Sequence, residues 1–231
     1  MHCKCCEGRR FLGPAALAVL LAVLPGCGAV HGYKLSECMD AYLALTYNGI
    51  YDEKTEEIFG LTKAECNARY EKDIQMDADF FIHNILGVDD VSQRTKDAVA
   101  SMYKGIYKNI RYEVEGGNRD FVMVTVHPLE AFHMLDGTSL LQLFNESYTA
   151  ICPTATPYSL LDDEMRRTID DLYVAKAVDL VLQDLPNAGF GEPTTVEVKA
   201  EKHGRDLILD PEGPDKIDDL VLDLADNSEA G

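Results

Sequence analysis

Positive charge is scarce in this 231-residue chain: 21 Lys+Arg stand against 40 Asp+Glu, a formal net charge of −19. Nucleic-acid binding depends on cations that neutralise phosphate, so this balance argues against a nucleic-acid partner. It argues equally against a domain lying flat on an anionic leaflet, which attracts basic segments. Long apolar runs are also missing. The one extended run, Phe11 to Leu24, is shorter than the ~20 residues a membrane-spanning helix needs and contains a helix-disfavouring Pro14. The six histidines include no i, i+4 pair of the zinc type, and no Gly-x-Ser-x-Gly elbow is present. These absences remove several classes of chemistry before any residue is assigned a role.

What is present begins with a leader. Lys4, Arg9 and Arg10 precede the apolar run, which ends in Leu24-Pro25-Gly26-Cys27. A basic head, a short apolar core and a small-residue cleavage site form the secretory pattern. The last four residues resemble the lipobox of bacterial lipoproteins: an aliphatic residue at −3, a small one at −1, then Cys, with Pro25 departing from the commoner Ala, Ser or Thr at −2. The resemblance implies cleavage between Gly26 and Cys27 and a diacylglycerol joined to the Cys27 thiol. It also implies fatty-acid (palmitate-type) labelling and an address on the extracytoplasmic face of the cell membrane. Cys3, Cys5 and Cys6 lie in the part to be removed and find no downstream zinc-type partner.

Residues 1–26 are therefore expected to be a signal peptide, residues 27–35 the lipidated Cys and a short tether, residues 36–226 an α+β extracytoplasmic domain, and residues 227–231 a frayed tail. Removing the leader's three bases and one acid leaves 18 Lys+Arg against 39 Asp+Glu. The acids are spread along the chain, which reads as solubility and not as a site. The eight residues Gly28–Leu35 reach at most ~27 Å when extended, so the domain would work close to the membrane. Besides Cys27, Cys38, Cys66 and Cys152 remain; a Cys38–Cys66 bridge and buried thiols are both open.

The order of elements follows from capping and periodicity. Ser36 is a candidate N-cap for a helix that Asn48-Gly49 ends. A turn-rich acidic stretch leads to Thr62-Lys63-Ala64-Glu65, a capping box opening a helix to about Leu86. Ser92 opens a third helix with an apolar stripe at Val99, Met102, Tyr103, Ile106 and Tyr107. Residues 110–126 then alternate about Gly116-Gly117-Asn118, which predicts a β-hairpin. Two helices follow, from Ser139 to about Ile151 and from Leu160 to Leu185. A second alternating pair, Thr194–Ala200 and Asp206–Asp210, comes next. Pro214 starts a short amphipathic helix with Ile217, Leu220, Val221 and Leu224 on one side. The fold class is α+β: N-terminal helices, an antiparallel hairpin, a second helix-plus-hairpin unit and a short C-terminal helix. A faint echo between residues 112–121 and 196–207 raises two halves, 36–130 and 138–226, that share one sheet.

Tyr42-Leu43, Asn48-Gly49, Tyr103-Lys104-Gly105-Ile106 and the run Phe121–Val126 together resemble the uncharacterised lipoproteins of Gram-positive bacteria. Their domains look like the cystatin-like or nuclear-transport-factor-like cone, in which a sheet curls round helices. Only two strands precede the later helices here, where that fold wants more. No catalytic motif carries over from the family.

Candidate chemistry is thin. His127 and His133 sit six apart, and His83 lies beside Phe80, Phe81 and Ile82; structural or surface roles outweigh metal binding for each. Asp210, Glu212, Asp215, Asp218 and Asp219 resemble a calcium loop, yet Pro214 and Val221 occupy positions that need oxygen ligands. Asp77 and Asp79 read as solvated. Cys152 is not singled out as a nucleophile. Tyr103, Tyr107, Tyr112 and Asp120 are the residue types of a pocket isomerase. The expectation is a membrane-anchored binding or scaffold domain, with no catalytic residue, metal or cofactor assigned and with an unidentified protein or small molecule as ligand. The alternative is a small-molecule pocket enzyme of the ketosteroid-isomerase type. A transporter's ligand-binding subunit is disfavoured, because two lobes of alternating strand and helix are not visible.

Overall fold

The computed structural model describes residues 33–117, 120–152, 156–203 and 206–222. The leader, Gly26, Cys27, most of the tether and the 227–231 tail lie outside the described residues. Helix α1 (Leu35–Asn48) starts one residue before Ser36, which is therefore not its cap; the Lys34 amide donates to the Glu37 carboxylate at 2.8 Å instead. Gly49 closes α1 at φ 60°, and a Cβ there would meet the Tyr70 ring at 3.0 Å, so both backbone and space require glycine. Asp52 caps α2 (Glu53–Phe59) through the Thr55 amide.

The Thr62/Glu65 box opens α3 (Lys63–Phe80) in both directions: the Glu65 amide donates to Thr62 Oγ1, and the Thr62 amide to Glu65. The helix then widens into a π-turn over Phe81–Ile85 before Gly87, at φ 67°, ends it. Ser92 caps α4 (Gln93–Tyr107). Next come β1 (Arg111–Glu115), β2 (Phe121–His127), α5 (Gly137–Ile151, capped by Asp136) and α6 (Asp163–Asp184, capped by Asp162). Then β3 (Thr194–His203), β4 (Asp206–Leu209) and α7 (Glu212–Val221) complete the described chain. Pro214 falls inside the first turn of α7 and does not begin it, since an orphan amide is dispensable anywhere in that turn.

The second hairpin completes the sheet begun by the first. The four strands lie in the order β1-β2-β3-β4, every neighbour antiparallel. Val124 pairs with Val114 on one side and with Val196 on the other. One face buries Val122, Val124, Val126, Val196, Val198 and Ala200; the other presents Glu113, Thr125, Glu197 and Lys199. This alternation is what an antiparallel sheet covered on one face requires. The helices supply the cover: Met39, Leu43, Phe81, Met102, Ile106 and Val181 are fully buried in one continuous core with the sheet valines. A smaller cluster of Cys152, Leu161 and Ile169 lies between α5 and α6. Cys66 is a free, buried thiol, which excludes the Cys38–Cys66 bridge.

Candidate functional site

Four helices bring two carboxyl groups and four phenols into one part of the core. On α3, Ile74, Asp77, Ala78 and Phe81 share a stripe at helical spacing, so Asp77 points inward with its apolar neighbours and is 8% exposed. The reading of Asp77 as solvated is thus corrected. Tyr107, from the last turn of α4, donates its hydroxyl to Asp77 Oδ2 at 2.7 Å. On α7, Ile217 and Val221 seat the helix on the sheet, and Asp218 turns onto Tyr47 of α1, whose hydroxyl donates to Asp218 Oδ1. The two pairs touch through their rings: Tyr47 and Tyr107 meet edge to face at 5.5 Å, and Tyr103 meets Tyr107 at 5.8 Å. Neither carboxyl has an ion-pair partner among the described residues.

Burial without a cation sets the electrostatics. Desolvation pushes Asp77 up to about 7 from 3.8; the Tyr107 bond opposes this and Asp73 adds to it. Asp218 is likewise pushed up to about 7 by burial, opposed by the Tyr47 bond and reinforced by Asp77, Asp215 and Asp219. Burial also raises Tyr42, Tyr47, Tyr103 and Tyr107 well above the usual phenol range, so all four stay protonated. The arrangement holds protons: near neutrality each carboxyl stands between acid and anion. Neither was singled out from the sequence as an inward acid. The available signal was their place on apolar stripes, Asp77 three residues after Ile74 and Asp218 three before Val221.

Two surface clefts lie elsewhere. One, about 450 Å³, runs between β3 and α7 and is lined by Thr195, Glu197, Lys199, Glu212, Lys216 and Asp219 among others. The second, about 560 Å³, lies between Leu86–Asp90 and the start of α6. Its charged groups other than Asp89 already engage neighbours. Tyr158 donates to Asp170 at 2.8 Å, Arg166 pairs with Asp163, and Arg167 reaches Asp90 at 3.6 Å and the Val91 carbonyl at 3.2 Å. Neither cleft is lined by Asp77, Tyr107, Tyr47 or Asp218.

The remaining sequence candidates are dispersed. His127 stands 4.0 Å from Glu113, while His133 contacts the Glu130 carbonyl at 2.8 Å and Asp184 at 3.4 Å. His83 is exposed and meets the Val88 carbonyl at 2.7 Å. Among the acids of the calcium-like run, Asp210 accepts the Glu212 amide, Glu212 pairs with Lys216 and Asp218 faces inward, so they do not converge. Tyr112 is half-buried on β1 and Asp120 is exposed beyond the hairpin turn, apart from Tyr103 and Tyr107 in the core. Cys152 is buried. Cys27 and the Gly26–Cys27 bond lie outside the described residues.

No family model matches the chain, and no curated protein matches it by sequence. Among solved structures it is similar to YcdA of Bacillus subtilis, a protein provisionally assigned as a lipoprotein, with a TM-score of 0.54 and 18% identity. The match covers 81% of this chain and 55% of that one, so the chain spans just over half the length of the structure it resembles. At this identity the likeness is one of fold. Among the described residues no helix is long and apolar enough to cross a membrane.

Proposed function

We propose that the chain is a lipid-anchored extracytoplasmic domain of a bacterial lipoprotein that binds or scaffolds a partner at the cell surface without catalysing a reaction. The observation that carries this reading is Leu24-Pro25-Gly26-Cys27 behind a basic head and a short apolar core. The likeness in fold to a structure assigned as a lipoprotein supports it. Cys27 takes the lipid, the chain is cut after Gly26, and the residues between Cys27 and α1 tether the domain. A single acyl group gives only marginal membrane binding, so the diacyl anchor is what would make the attachment lasting. The test is Cys27→Ser in cells fed a labelled fatty acid. The label should vanish from the protein and the protein should leave the membrane fraction; persistent labelling would end the lipoprotein reading.

One observation favours the second reading, a pocket enzyme of the ketosteroid-isomerase type: a buried carboxyl at about 7 beside a phenol, as at Asp77 and Tyr107. Two observations weigh against it. The phenol donates to the carboxyl itself and not towards a substrate, and the pair lines neither surface cleft. Deuterium exchange at carbon next to the carbonyl of a 3-ketosteroid, present in the intact protein and lost in Asp77→Asn, would establish the enzyme reading over the binding one.

A further inference from the structure

Helix α7 is fixed to the rest of the domain by contacts of two kinds. The first are insensitive to pH. Ile217 and Val221 are each 1% exposed, and the Leu129 amide donates to the Val221 carbonyl at 3.0 Å. Gly213 lies so close to β3 that a Cβ would stand 3.0 Å from the Val198 Cα. The second kind is the inward bond from Tyr47 to Asp218, which joins α7 to α1. The groups facing Asp218 are Tyr47 and Tyr42 from α1, Asp77 from α3, Tyr107 from α4, and Asp215 and Asp219 from its own helix; those facing Asp77, besides Asp218, are Tyr107 and Tyr103 from α4 and Asp73 and Tyr70 from α3. All are phenols or carboxyls. Lys216, the cation on α7, is engaged with Glu212 at 2.7 Å.

We propose that α7 is a pH-responsive latch, docked while Asp218 and Asp77 retain their protons and loosened as both become anions with no cation to balance them. The helix layer cannot relieve two facing charges by moving α3, which continues into the core through Phe81 and Ile82. It can relieve them by releasing α7, whose Asp218 then returns to water. Release widens the cleft between α7 and β3 and uncovers the sheet around Val198.

The direction follows from the two end states. Docked, Asp218 keeps its proton up to about pH 7; undocked, it returns towards the ordinary value of 3.8. Docking is therefore strongest below about pH 4, weakens as pH rises towards about 7, and levels off above that.

Hydrogen exchange of the full chain reads this directly, as the protection of Glu212–Val221 itself, corrected for intrinsic exchange rates, with α4 as the control that must stay the more strongly protected. Between about pH 4.5 and about pH 8 that protection should fall by ~tenfold or more, since each proton released contributes up to ~tenfold per pH unit. In Asp218→Asn the fall should disappear. In Asp77→Asn, which leaves α7 untouched, it should shrink. Protection of Glu212–Val221 that is constant within ~twofold in the unaltered chain, that falls equally in Asp218→Asn, or that never drops below that of α4, overturns the latch. A fall unchanged in Asp77→Asn overturns the part assigned to the facing charge.

Discussion

Replacing Asp77 by Asn tests the physical basis of the buried cluster. The side chain keeps its shape and an oxygen to accept the Tyr107 hydroxyl, but it can no longer ionise. Asp77 stands at about 7 in the folded protein against 3.8 as its ordinary value, and it is 8% exposed. Its folded value is raised, so the native state holds a proton that the unfolded chain has already lost between those limits. Its contribution is therefore most favourable below about pH 4 and is eroded as pH rises through 7. A shift of roughly three units amounts to at most about 4 kcal/mol of stability at pH 8. The Asn amide brings N–H groups that cost about 1–3 kcal/mol if left without acceptors. The variant should thus be less stable than the natural chain at about pH 4.5 and should match or exceed it at about pH 8, the difference changing by up to about 3 kcal/mol across the range. Urea unfolding followed by circular dichroism, at half-unit pH intervals, gives both curves, and the other titrating groups largely cancel between them. Removing the Asp77 charge also eases ionisation of Asp218, which adds to the crossover in the same direction. Two parallel stability curves would refute the argument, because they would mean that Asp77 ionises in the folded protein as it does in water.

The remaining predictions concern the frame. Gly49→Ala forces a Cβ onto a left-handed backbone and against the Tyr70 ring, so it should cost about 1–2 kcal/mol in urea unfolding. Thr62→Ala removes one half of the α3 capping box and should cost about 1 kcal/mol, with the loss seen first in exchange of the Glu65 and Cys66 amides. Ile106→Ala, at a fully buried position between helices and sheet, should cost about 2–5 kcal/mol and lower the thermal midpoint accordingly. Cys66 should resist a thiol reagent in the native protein and react on unfolding; rapid native labelling would contradict its burial.

The frame was legible because local chemistry and tertiary packing agree there. Thr62/Glu65 and Ser92 cap their helices as their spacing implies, and the alternation at Val122, Val124 and Val126 becomes the covered face of the sheet. Errors fell where neighbours compete. Ser36 yielded to Lys34 because Glu37 already satisfies the first orphan amide, and Pro214 sits within its helix because Glu212 and Gly213 can begin the turn. The joining of the two hairpins was only raised from sequence, since a β2–β3 pairing spans some seventy residues and strand order leaves no local mark. The acids were misread for a more general reason. In a chain this acidic, an inward carboxyl looks like its many solvated neighbours, and the rule that charges face water holds for all but a few. What separates Asp77 and Asp218 is a conjunction: a carboxyl standing on an apolar stripe, with phenols from other helices brought to it by the fold. The stripe is written in the sequence three residues from Ile74 and three from Val221, whereas Tyr107 and Tyr47 reach the carboxyls only through helix packing. The same conjunction explains why burial does not demand a lysine or arginine here. A carboxyl that keeps its proton near neutrality needs a hydrogen-bond partner more than a counter-ion, and a phenol supplies one without adding charge.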